Sequence, residues 1–416
     1  MKSTRPIPYD KSLDSTIPLL LEGYEFIQNR CNRYQSDIFR TQLLGKSVVC
    51  ISGEDAAKLF YDDIRFKRKG VAPKRIQKTL FGKNGVQALD GVSHRNRKQM
   101  FMSIMTPDKL SVLHQLTQEQ WKINSAKWKR RDSIVLFDET QKIMCQIACK
   151  WAGVPLKKSE VKQRANDLGK LVDGFGGIGL RYWQGKCARQ KTESWIAAIV
   201  DQIRNHTLYP PKGSAADVIV WNRDENGKLL SKQVAAVELI NILRPIVAIA
   251  TYITFGALAL HEYPKYQKKL QKGVEEDITY FVQEIRRFYP FAPFVGAEVR
   301  KNIRWKRYQL KKGTLVLLDL YGINHDSRLW ENANEFWPER HVVQVDNKYK
   351  FVPHGGGDPM NGHRCAGEAV TIEIMKVSLD YLVNHLEYSV PKQDLGYSLT
   401  RIPTLPKSKF IMNWVR

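Results

Sequence analysis

The chain has 416 residues, 43% hydrophobic and 10% aromatic, which is enough apolar material to bury a large core. Its formal net charge is +24, from 66 Lys and Arg against 42 Asp and Glu. This excess suits an acidic partner, an anionic substrate, a membrane surface, or simply a solvated basic surface. The basic residues are spread along the chain, without zinc-finger spacing or an RNA-binding aromatic motif, so we expect no nucleic-acid partner.

No linker, low-complexity tract or repeat divides the chain, so a single domain over residues 1–416 is predicted. The six cysteines lack the spacing of a disulfide framework. Cys145 and Cys149, four apart on an apolar helical pattern, are predicted to be small core residues. The N-terminus has no apolar signal core, and the longest uncharged apolar run, 245–260, is short for a bilayer. We therefore expect a buried core helix and a soluble, cytoplasmic protein without a transmembrane segment.

Hydrophobic periodicity predicts a mainly α fold with small β-sheets. The predicted helices cover residues 19–32, 54–63, 94–105, 109–151 with a break at 129–132, 192–209, 231–263, 265–289 and 366–381. The predicted strands cover residues 45–53 and 314–322, with strand-like pieces after residue 386. Residues 173–189, DGFGGIGLRYWQGKCAR, are predicted to be a glycine-rich loop that either lines a pocket or joins two helices.

Three basic side chains gather where a helix is predicted to begin. His94, Arg97 and Lys98 follow the glycines of the segment KTLFGKNGVQALDGVSHRNR, residues 78–97. Positive charge at a helix N-terminus opposes the helix dipole, so a nearby anion would explain the cluster. A haem propionate is one such anion, and a solvated basic turn explains these residues equally well.

The longest apolar helical pattern, residues 231–263, carries Arg244 and Pro245 in its middle. A proline inside a helix removes a backbone hydrogen bond and kinks the helix, at a cost of roughly 3 kcal/mol. A buried arginine is costly without an anionic partner. Two broken rules side by side indicate a functional site, so we expect Arg244 to bind an anion. Its alternative partner is a structural carboxylate.

The next predicted helix and the turn after it hold two further features. Glu284 and Arg287 stand three residues apart, so they can pair on one helix face, which is a common arrangement. The segment FAPFVGAEV then turns the chain after Pro290. Its Phe291 and Phe294 suit an apolar channel, and ordinary core packing is the alternative.

A glycine-rich loop with one cysteine, FVPHGGGDPMNGHRCAGE at residues 351–368, leads into the last predicted helix. Glycine runs mark backbone that turns tightly or approaches another group closely. A thiolate at a helix start is favoured by the helix dipole and the free N–H groups, and thiolate is a ligand of haem iron. Cys365 is therefore either a haem ligand or a buried free cysteine beside a surface loop, and the loop alone favours neither.

The order of three motifs carries a family resemblance. The chain shows EIRR at 284–287, FWPER at 336–340 and HRCAG at 363–367. This ordered set resembles the cytochrome P-450 family of haem-thiolate enzymes, and the resemblance extends over nearly the whole chain. It implies a single-domain cytochrome P-450 fold, α-rich with small β-sheets.

The resemblance also implies a cofactor, haem b, whose iron is bound by the thiolate of Cys365. It implies that Glu284, Arg287 and Arg340 form a structural ion network behind the haem. The cofactor contacts expected beside the ligand are His94, Arg97, Lys98 and Arg364.

Two departures from the family pattern identify a branch. The acidic residue and threonine that the family uses to deliver protons to dioxygen are replaced by RPIVA, residues 244–248. The family's phenylalanine seven residues before the cysteine is Asp358 here. Both departures resemble the bacterial fatty-acid peroxygenases, which include α- and β-hydroxylases and terminal-alkene-forming decarboxylases. The segments LFGKNGVQALDG, DGFGGIGLRYWQGKCAR and FAPFVGAEV also resemble that branch.

This branch implies a hydrogen-peroxide-dependent enzyme that acts on long-chain fatty acids without a redox protein. Arg244, always protonated and shaped as a planar fork, would hold the substrate carboxylate. That carboxylate would then serve as the acid/base group that the chain lacks. Arg244 and Cys365 are thus the predicted catalytic residues, and Cα or Cβ is the predicted site of oxidation.

The predicted substrate contacts are Phe81, Gln87, Arg244, Pro245, Phe291 and Phe294. Alkene-forming relatives often carry histidine where this chain has Gln87. We therefore expect hydroxylation to dominate, with decarboxylation to a terminal alkene as a side reaction. The alternative role for Gln87 is a loop amide that bonds to the backbone.

Other functions fit the same motifs. One is a mainly alkene-forming fatty-acid decarboxylase. Another is a monooxygenase fed by a ferredoxin or flavodoxin, for which the +24 charge would dock an acidic partner. A haem or fatty-acid binding protein would show a ligand-induced spectral change without product, and a helical protein without haem would lack a Soret band.

Overall fold

The computed structural model of the protein describes residues 5–128, 130–342 and 348–414. Helices make up most of this part of the chain. They are α1 (Thr16–Glu22), α2 (Phe26–Tyr34), α3 (Glu54–Phe60), α4 (Lys74–Ile76), α5 (Gly91–Met102), α6 (Pro107–Trp128), α7 (Leu136–Ala152), α8 (Val161–Asp173), α9 (Leu180–Arg204), α10 (Ala215–Val220), α11 (Lys232–Glu262), α12 (Pro264–Leu270), α13 (Glu275–Phe288), α14 (Leu320–Asn324) and α15 (Glu368–Asn384).

The strands are short and form small sheets. They are β1 (Ile38–Leu43), β2 (Lys46–Ile51), β3 (Phe66–Lys67), β4 (Ser133–Val135), β5 (Phe294–Val299), β6 (Ile303–Trp305), β7 (Tyr308–Leu310), β8 (Leu315–Asp319), β9 (Tyr388–Ser389) and β10 (Ile411–Trp414). The largest sheet has the order β1-β2-β8-β5-β3, in which only β2 and β8 are parallel among the described strands. The predicted fold class, mainly α with small β-sheets, is confirmed.

The core is built around α11. The Ser231 side chain accepts a hydrogen bond from the Val234 N–H over 3.2 Å and so caps the start of this helix. Every residue from 235 to 260 except Pro245 is buried, and the helix packs against α7, α9 and α15. A helix this apolar must be enclosed by the rest of the protein.

Within the described residues, α11 is the one helix that is long and apolar enough to cross a membrane. Of its most apolar window, 89% is buried inside the protein. The predicted core helix is therefore confirmed. Cys145 and Cys149 are also buried, on the α7 side of this core, as predicted.

The predicted loop at residues 173–189 is wrong over most of its length. Helix α8 ends at Asp173 and α9 already begins at Leu180, so only residues 174–179 connect them. The misleading glycine is Gly185, which lies inside α9. A Cβ on it would come within 2.9 Å of the Lys170 carbonyl oxygen of α8, so this glycine permits close helix packing instead of a loop.

Other predicted elements are shifted at their ends or divided, and the predicted helix 265–289 is two helices, α12 and α13, separated at residues 271–274. The predicted helix 19–32 is divided into α1 and α2 by a short turn at residues 23–25. The predicted strand 45–53 is β2, and the predicted strand 314–322 is β8 followed by α14. The predicted break at 129–132 falls between α6 and β4, although residue 129 lies outside the described residues.

Candidate active site

Arg244 lies in the middle of α11 with only 7% of its surface exposed. Its one hydrogen bond to a described residue runs from Nη2 to Asn241 Oδ1 over 3.4 Å, and its buried Nε has no partner there. Burial, and then the nearby Arg189, lower the pKa of Arg244 to about 9. The alternative that a structural carboxylate pairs with Arg244 does not hold within residues 5–128, 130–342 and 348–414.

Pro245 follows directly on the same helix and is half-buried. The helix is unbroken through this position, from Lys232 to Glu262. Because proline has no N–H, the Asn241 carbonyl oxygen receives no helical hydrogen bond from residue 245. The site thus contains an arginine whose N–H groups are mostly without partners among the described residues. Beside it lies the Asn241 carbonyl oxygen, which lacks its helical hydrogen bond.

A polar ladder, Glu238, Asn241 and Arg244, follows one face of α11 at three-residue spacing. Asn241 Nδ2 donates to Glu238 Oε2 over 2.9 Å, and Arg97 Nη1 donates to the other carboxylate oxygen of Glu238. Glu238 is fully buried, and burial raises its pKa although Arg97 opposes this shift. Glu238 and Asn241 were not predicted as site residues, although a carboxylate and an amide in the most apolar helix are a usable signal.

Gln87 joins this ladder from the turn at residues 86–88. Its Oε1 lies 3.4 Å from Asn241 Nδ2, so the structure brings it into the hydrogen-bonded group that contains Arg244. Phe81 is half-buried at the end of the preceding turn, residues 77–81. Arg189 of α9 is 2% exposed and donates to the Leu80 carbonyl over 3.2 Å, so a second buried guanidinium stands beside this segment.

The predicted basic cluster lies on the buried side of α5. His94, Arg97 and Lys98 are 4%, 7% and 3% exposed, so the alternative of a solvated basic turn is wrong. Burial, and then Lys98, lower the pKa of His94 to about 4, so its imidazole is neutral at pH 7. The His94 ring stacks on that of His363 at 3.9 Å, and Lys98 Nζ donates to the Arg364 carbonyl.

These contacts tie α5 to the cysteine loop. The Cys365 N–H donates to the His354 carbonyl over 3.0 Å, which fixes the backbone at the cysteine. The Cys365 side chain is exposed, yet loss of hydration raises the pKa of its thiol. A thiol that faces a space enclosed by the protein explains both observations, because its surface is open while little water surrounds it. The Gly367 N–H, Lys98 and Arg244 oppose the shift and favour the thiolate.

Two ion networks include charged side chains of α13. Glu284 accepts from Arg287 Nη2 at 2.7 Å, from Arg340 Nε at 3.2 Å and bonds to His341 Nε2 at 2.9 Å. Burial disfavours its charge, but the hydrogen bonds from Arg287 and His341 win and lower the pKa of Glu284 to about 2. The three residues expected to form this network therefore do meet, and His341 is a further member that was not predicted.

The second network surrounds Glu368, at the start of α15. Arg364 Nε donates to Glu368 Oε2 over 2.6 Å, and Arg286 donates to the other oxygen. Although burial disfavours the charge, Arg286 and Arg364 lower the pKa of Glu368 to about 2. The side chain of Arg364, an expected cofactor contact, thus also braces the loop that carries Cys365.

The two predicted channel phenylalanines occupy different surroundings. Phe291 stacks on the buried Tyr252 of α11, with ring centroids 4.8 Å apart, and packs against the main core. Phe294 begins β5 and packs with the cluster that includes Phe26 and Phe39. Phe291 therefore lies against α11, the helix that carries Arg244. Phe294 instead packs in the core beneath the sheet.

The donor set fits a thiolate-ligated haem. Cys365 would bind the iron, because its thiol faces enclosed space and is approached by an N–H group and two cations. Lys98 would lie near a propionate, because a buried cation gains from an anionic partner. Arg97 already pairs with Glu238 and His94 is neutral, so these two would meet a propionate only as hydrogen-bond donors. Arg244 would face the same space from α11, since it and Cys365 shift each other's pKa.

Known proteins resemble this chain over most of its length. The family model for cytochrome P-450 matches residues 182–412. Among curated proteins, cytochrome P-450 26A1 of Danio rerio is 23% identical over 95% of this chain and 87% of its own length.

Solved structures are more similar. Cytochrome P-450EX alpha (CYP152N1) with myristic acid has a TM-score of 0.94 at 43% identity, covering 98% of both chains. Cytochrome P-450SP alpha (CYP152B1) in complex with (R)-ibuprophen has a TM-score of 0.95 at 43% identity, covering 97% of this chain and 99% of that one. A variant of cytochrome P-450 OleT in complex with arachidonic acid has a TM-score of 0.96 at 34% identity, covering 99% of each.

The family model includes the helix that carries Arg244 and the loop that carries Cys365, and these solved structures cover 97% to 99% of this chain. The family implies a haem whose iron is bound by a cysteine thiolate. This chain belongs to the cytochrome P-450 family of haem-thiolate oxidoreductases, in the branch of the fatty-acid peroxygenases.

Proposed function

We propose that this protein is a hydrogen-peroxide-dependent fatty-acid peroxygenase that hydroxylates long-chain fatty acids at Cα or Cβ, with decarboxylation to terminal alkenes as a side reaction. The observation that carries the proposal is the buried Arg244, which forms no ion pair with any described residue. A buried cation of this kind has a large free energy to gain from an anionic ligand.

The ligand's chemistry follows from the surroundings of Arg244. The planar guanidinium presents parallel N–H groups that match a carboxylate. The residues around it on α11 are apolar apart from the polar ladder, which suits a long hydrocarbon chain. The relatives solved with myristic acid and arachidonic acid support the same substrate class.

In the proposed mechanism, Arg244 holds the substrate carboxylate and orients the chain. Asn241 Oδ1 accepts a hydrogen bond from Arg244 and limits the rotation of the guanidinium. The Gln87 amide restrains Asn241 from the other side. When bound, a thiolate-ligated haem supplies the oxidising chemistry.

The proton transfers fall to the substrate itself. Arg244 has no proton to give at neutral pH without losing its charge, so it acts as an electrostatic anchor. The carboxylate that it holds takes a proton from hydrogen peroxide and returns it to the departing oxygen, which leaves as water. Because the anchor fixes the head group, Cα and Cβ are the carbons closest to the site of oxidation.

The product branch depends on what surrounds the carboxylate. Gln87 offers a neutral amide that does not exchange protons near pH 7, which favours oxygen transfer to carbon and a 2- or 3-hydroxy acid. Loss of carbon dioxide gives the terminal alkene as the minor product. We further propose that no redox protein is required, that the chain acts as one domain and that it works in the cytoplasm.

Product analysis tests this proposal. The purified protein is mixed with a saturated long-chain fatty acid and hydrogen peroxide, and the products are identified by mass spectrometry. We expect 2- and 3-hydroxy acids with a smaller amount of the alkene one carbon shorter. Turnover only with a ferredoxin or flavodoxin system, or a spectral change without product, would contradict it.

A further inference from the structure

Glu238 stands at the end of the polar ladder that is farthest from Arg244, and it is fully buried. Both of its carboxylate oxygens accept a hydrogen bond. Arg97 Nη1 of α5 donates to Oε1, and Asn241 Nδ2 donates to Oε2 over 2.9 Å. A carboxylate has two acceptor oxygens, so it can satisfy both of these donors at once.

The Asn241 side-chain amide has two unlike ends, and its neighbours determine which end faces which way. Its Nδ2 lies beside two acceptors, Glu238 Oε2 and, at 3.4 Å, Gln87 Oε1. Its Oδ1 accepts from Arg244 Nη2. In a reversed amide the N–H groups would face the guanidinium and the oxygen would face the two acceptors, so every one of these hydrogen bonds would be lost.

The amide has little room for any other position. Asn241 is buried, and the backbone of Gly85 packs against it. A Cβ on Gly85 would lie 3.1 Å from Asn241 Nδ2. Rotation of the side chain away from the ladder is therefore blocked by close packing, and reversal of the amide is the remaining alternative.

The Arg97 guanidinium supports the charged form of Glu238. Burial raises the pKa of Glu238, and Arg97 and then the hydrogen bond from Asn241 oppose that shift. Arg97 is buried as well, so each member of the pair offsets the cost of burying the other's charge. The pair adds no net charge to the site and acts on Arg244 through the Asn241 amide.

We propose that Glu238, paired with Arg97, is a positioning residue of the carboxylate clamp. It holds the Asn241 amide with Oδ1 toward Arg244, and this contact fixes the direction in which the guanidinium presents its other N–H groups. The inference rests on the proposed function, because it concerns how the fatty-acid head group is bound. It gives a role to an ion pair that touches neither the substrate nor the reacting atoms.

Glu238→Gln tests the inference, because it keeps the shape of the side chain but removes one acceptor. An amide has a single oxygen, and the charged Arg97 takes it. The NH₂ end then faces Asn241, whose amide reverses and turns its own N–H groups toward Arg244. We expect the dissociation constant of a long-chain fatty acid, measured from the shift of the haem absorption band, to rise by about tenfold. Charge alone predicts tighter binding, because a carboxylate near Arg244 has been removed.

A second substitution should restore binding. In Arg97→Met/Glu238→Gln the glutamine oxygen has no guanidinium beside it and is free to accept from Asn241 Nδ2. We expect the dissociation constant to return to within about threefold of the wild-type value. Arg97→Met/Glu238→Met has no acceptor at residue 238, so its dissociation constant should be about fivefold higher than that of Arg97→Met/Glu238→Gln.

These two double variants leave neither charge of the pair buried alone, so their comparison decides the matter if Glu238→Gln by itself fails to fold. Two controls separate positioning from general damage. The dissociation constant of imidazole, a neutral ligand of iron that does not need the clamp, should stay close to the wild-type value in every variant. Glu276→Gln, at an exposed carboxylate on α13, should bind the fatty acid like the wild type.

Equal or tighter fatty-acid binding in Glu238→Gln, or equal affinities of the two double variants, would overturn the inference. Parallel loss of imidazole and fatty-acid binding would overturn it too, because it would show general damage to the site. Failure of the proposed function is seen separately, as a wild type that does not bind or oxidise the fatty acid. Failure of this inference alone leaves wild-type binding and the wild-type products as proposed.

Discussion

Asn241 Oδ1 lies 3.4 Å from Arg244 Nη2, one helical turn away on α11. Within the described residues, it is the one side-chain acceptor that Arg244 contacts. An amide oxygen at this distance orients a cation without neutralising it. Arg244 therefore keeps its charge for a ligand, and its geometry is set in advance. This relationship is the physical basis of the proposed carboxylate clamp.

Substitution of Asn241 by aspartate tests this relationship. Asn241→Asp puts a carboxylate of almost the same shape beside Arg244, and that carboxylate competes with the fatty acid for the guanidinium. We expect the dissociation constant of a long-chain fatty acid, followed by the shift of the haem absorption band, to rise by about tenfold or more. Asn205→Asp, an exposed site, is the control, and unchanged affinity in Asn241→Asp would argue against the clamp.

Removal of the clamp itself should abolish most turnover while the cofactor stays bound. Arg244→Ala leaves the cysteine loop and its ion networks intact, so the haem spectrum should resemble that of the wild type. Fatty-acid turnover with peroxide should fall by about 100-fold or more, because positioning and proton transfer are lost together. The exposed Arg95→Ala on α5 is the control. Wild-type turnover in Arg244→Ala would show that the head group binds elsewhere.

The ligand assignment has a spectroscopic test. Cys365→Ser replaces a soft thiolate with a hydroxyl, which does not give the same electronic push to haem iron. The ferrous carbon-monoxide complex should lose the absorption band of a thiolate-ligated haem. The exposed Cys187→Ser should keep that band. Persistence of the band in Cys365→Ser would move the ligand to another residue.

Glu284 gives a prediction about stability and pH. Its pKa is lowered from 4.5 to about 2 in the folded protein, so its contribution to stability is complete above about pH 4.5 and is lost as the pH falls toward 2. Glu284→Gln leaves Arg287 buried without its carboxylate, and we expect a loss of about 3 kcal/mol in the free energy of unfolding at pH 7.

Chemical denaturation at pH 7 and pH 3 measures this effect. The difference between the wild type and Glu284→Gln should shrink at pH 3, where the wild type has begun to lose the same interaction. Glu25→Gln, at an exposed carboxylate, serves as the control and should change stability little. An equal difference at both pH values would mean that the Glu284 charge does not couple to folding.

The residues that break local rules are the ones that the amino-acid sequence reveals. Arg244 and Pro245 interrupt an apolar helix, and a lone cysteine follows a glycine-rich loop, so the order of residues alone indicates their chemistry. The Glu284 network is predictable because its motifs recur in order. Folding buries these side chains, and burial and hydrogen bonding then set their charge states, as they do for Glu284.

The sequence does not show toward which neighbouring element a side chain on a buried helix points. Glu238 and Asn241 are evident as polar residues of α11. Their partners, Arg97 and Gln87, come from distant segments of the chain, so only the folded structure shows these contacts. Gly185 was misleading because glycine signals both a loop and close helix packing, and only the position of α8 decides between them. His341 entered the Glu284 network through tertiary contact alone.

The most direct measurement of the central claim compares a long-chain fatty acid with its methyl ester, each mixed with the enzyme and hydrogen peroxide, with and without added acetate. If Arg244 recruits the substrate's own carboxylate for proton transfer, the acid is oxidised at Cα or Cβ, and the ester reacts only when acetate is present. Equal oxidation of the ester without any added carboxylate would contradict the account.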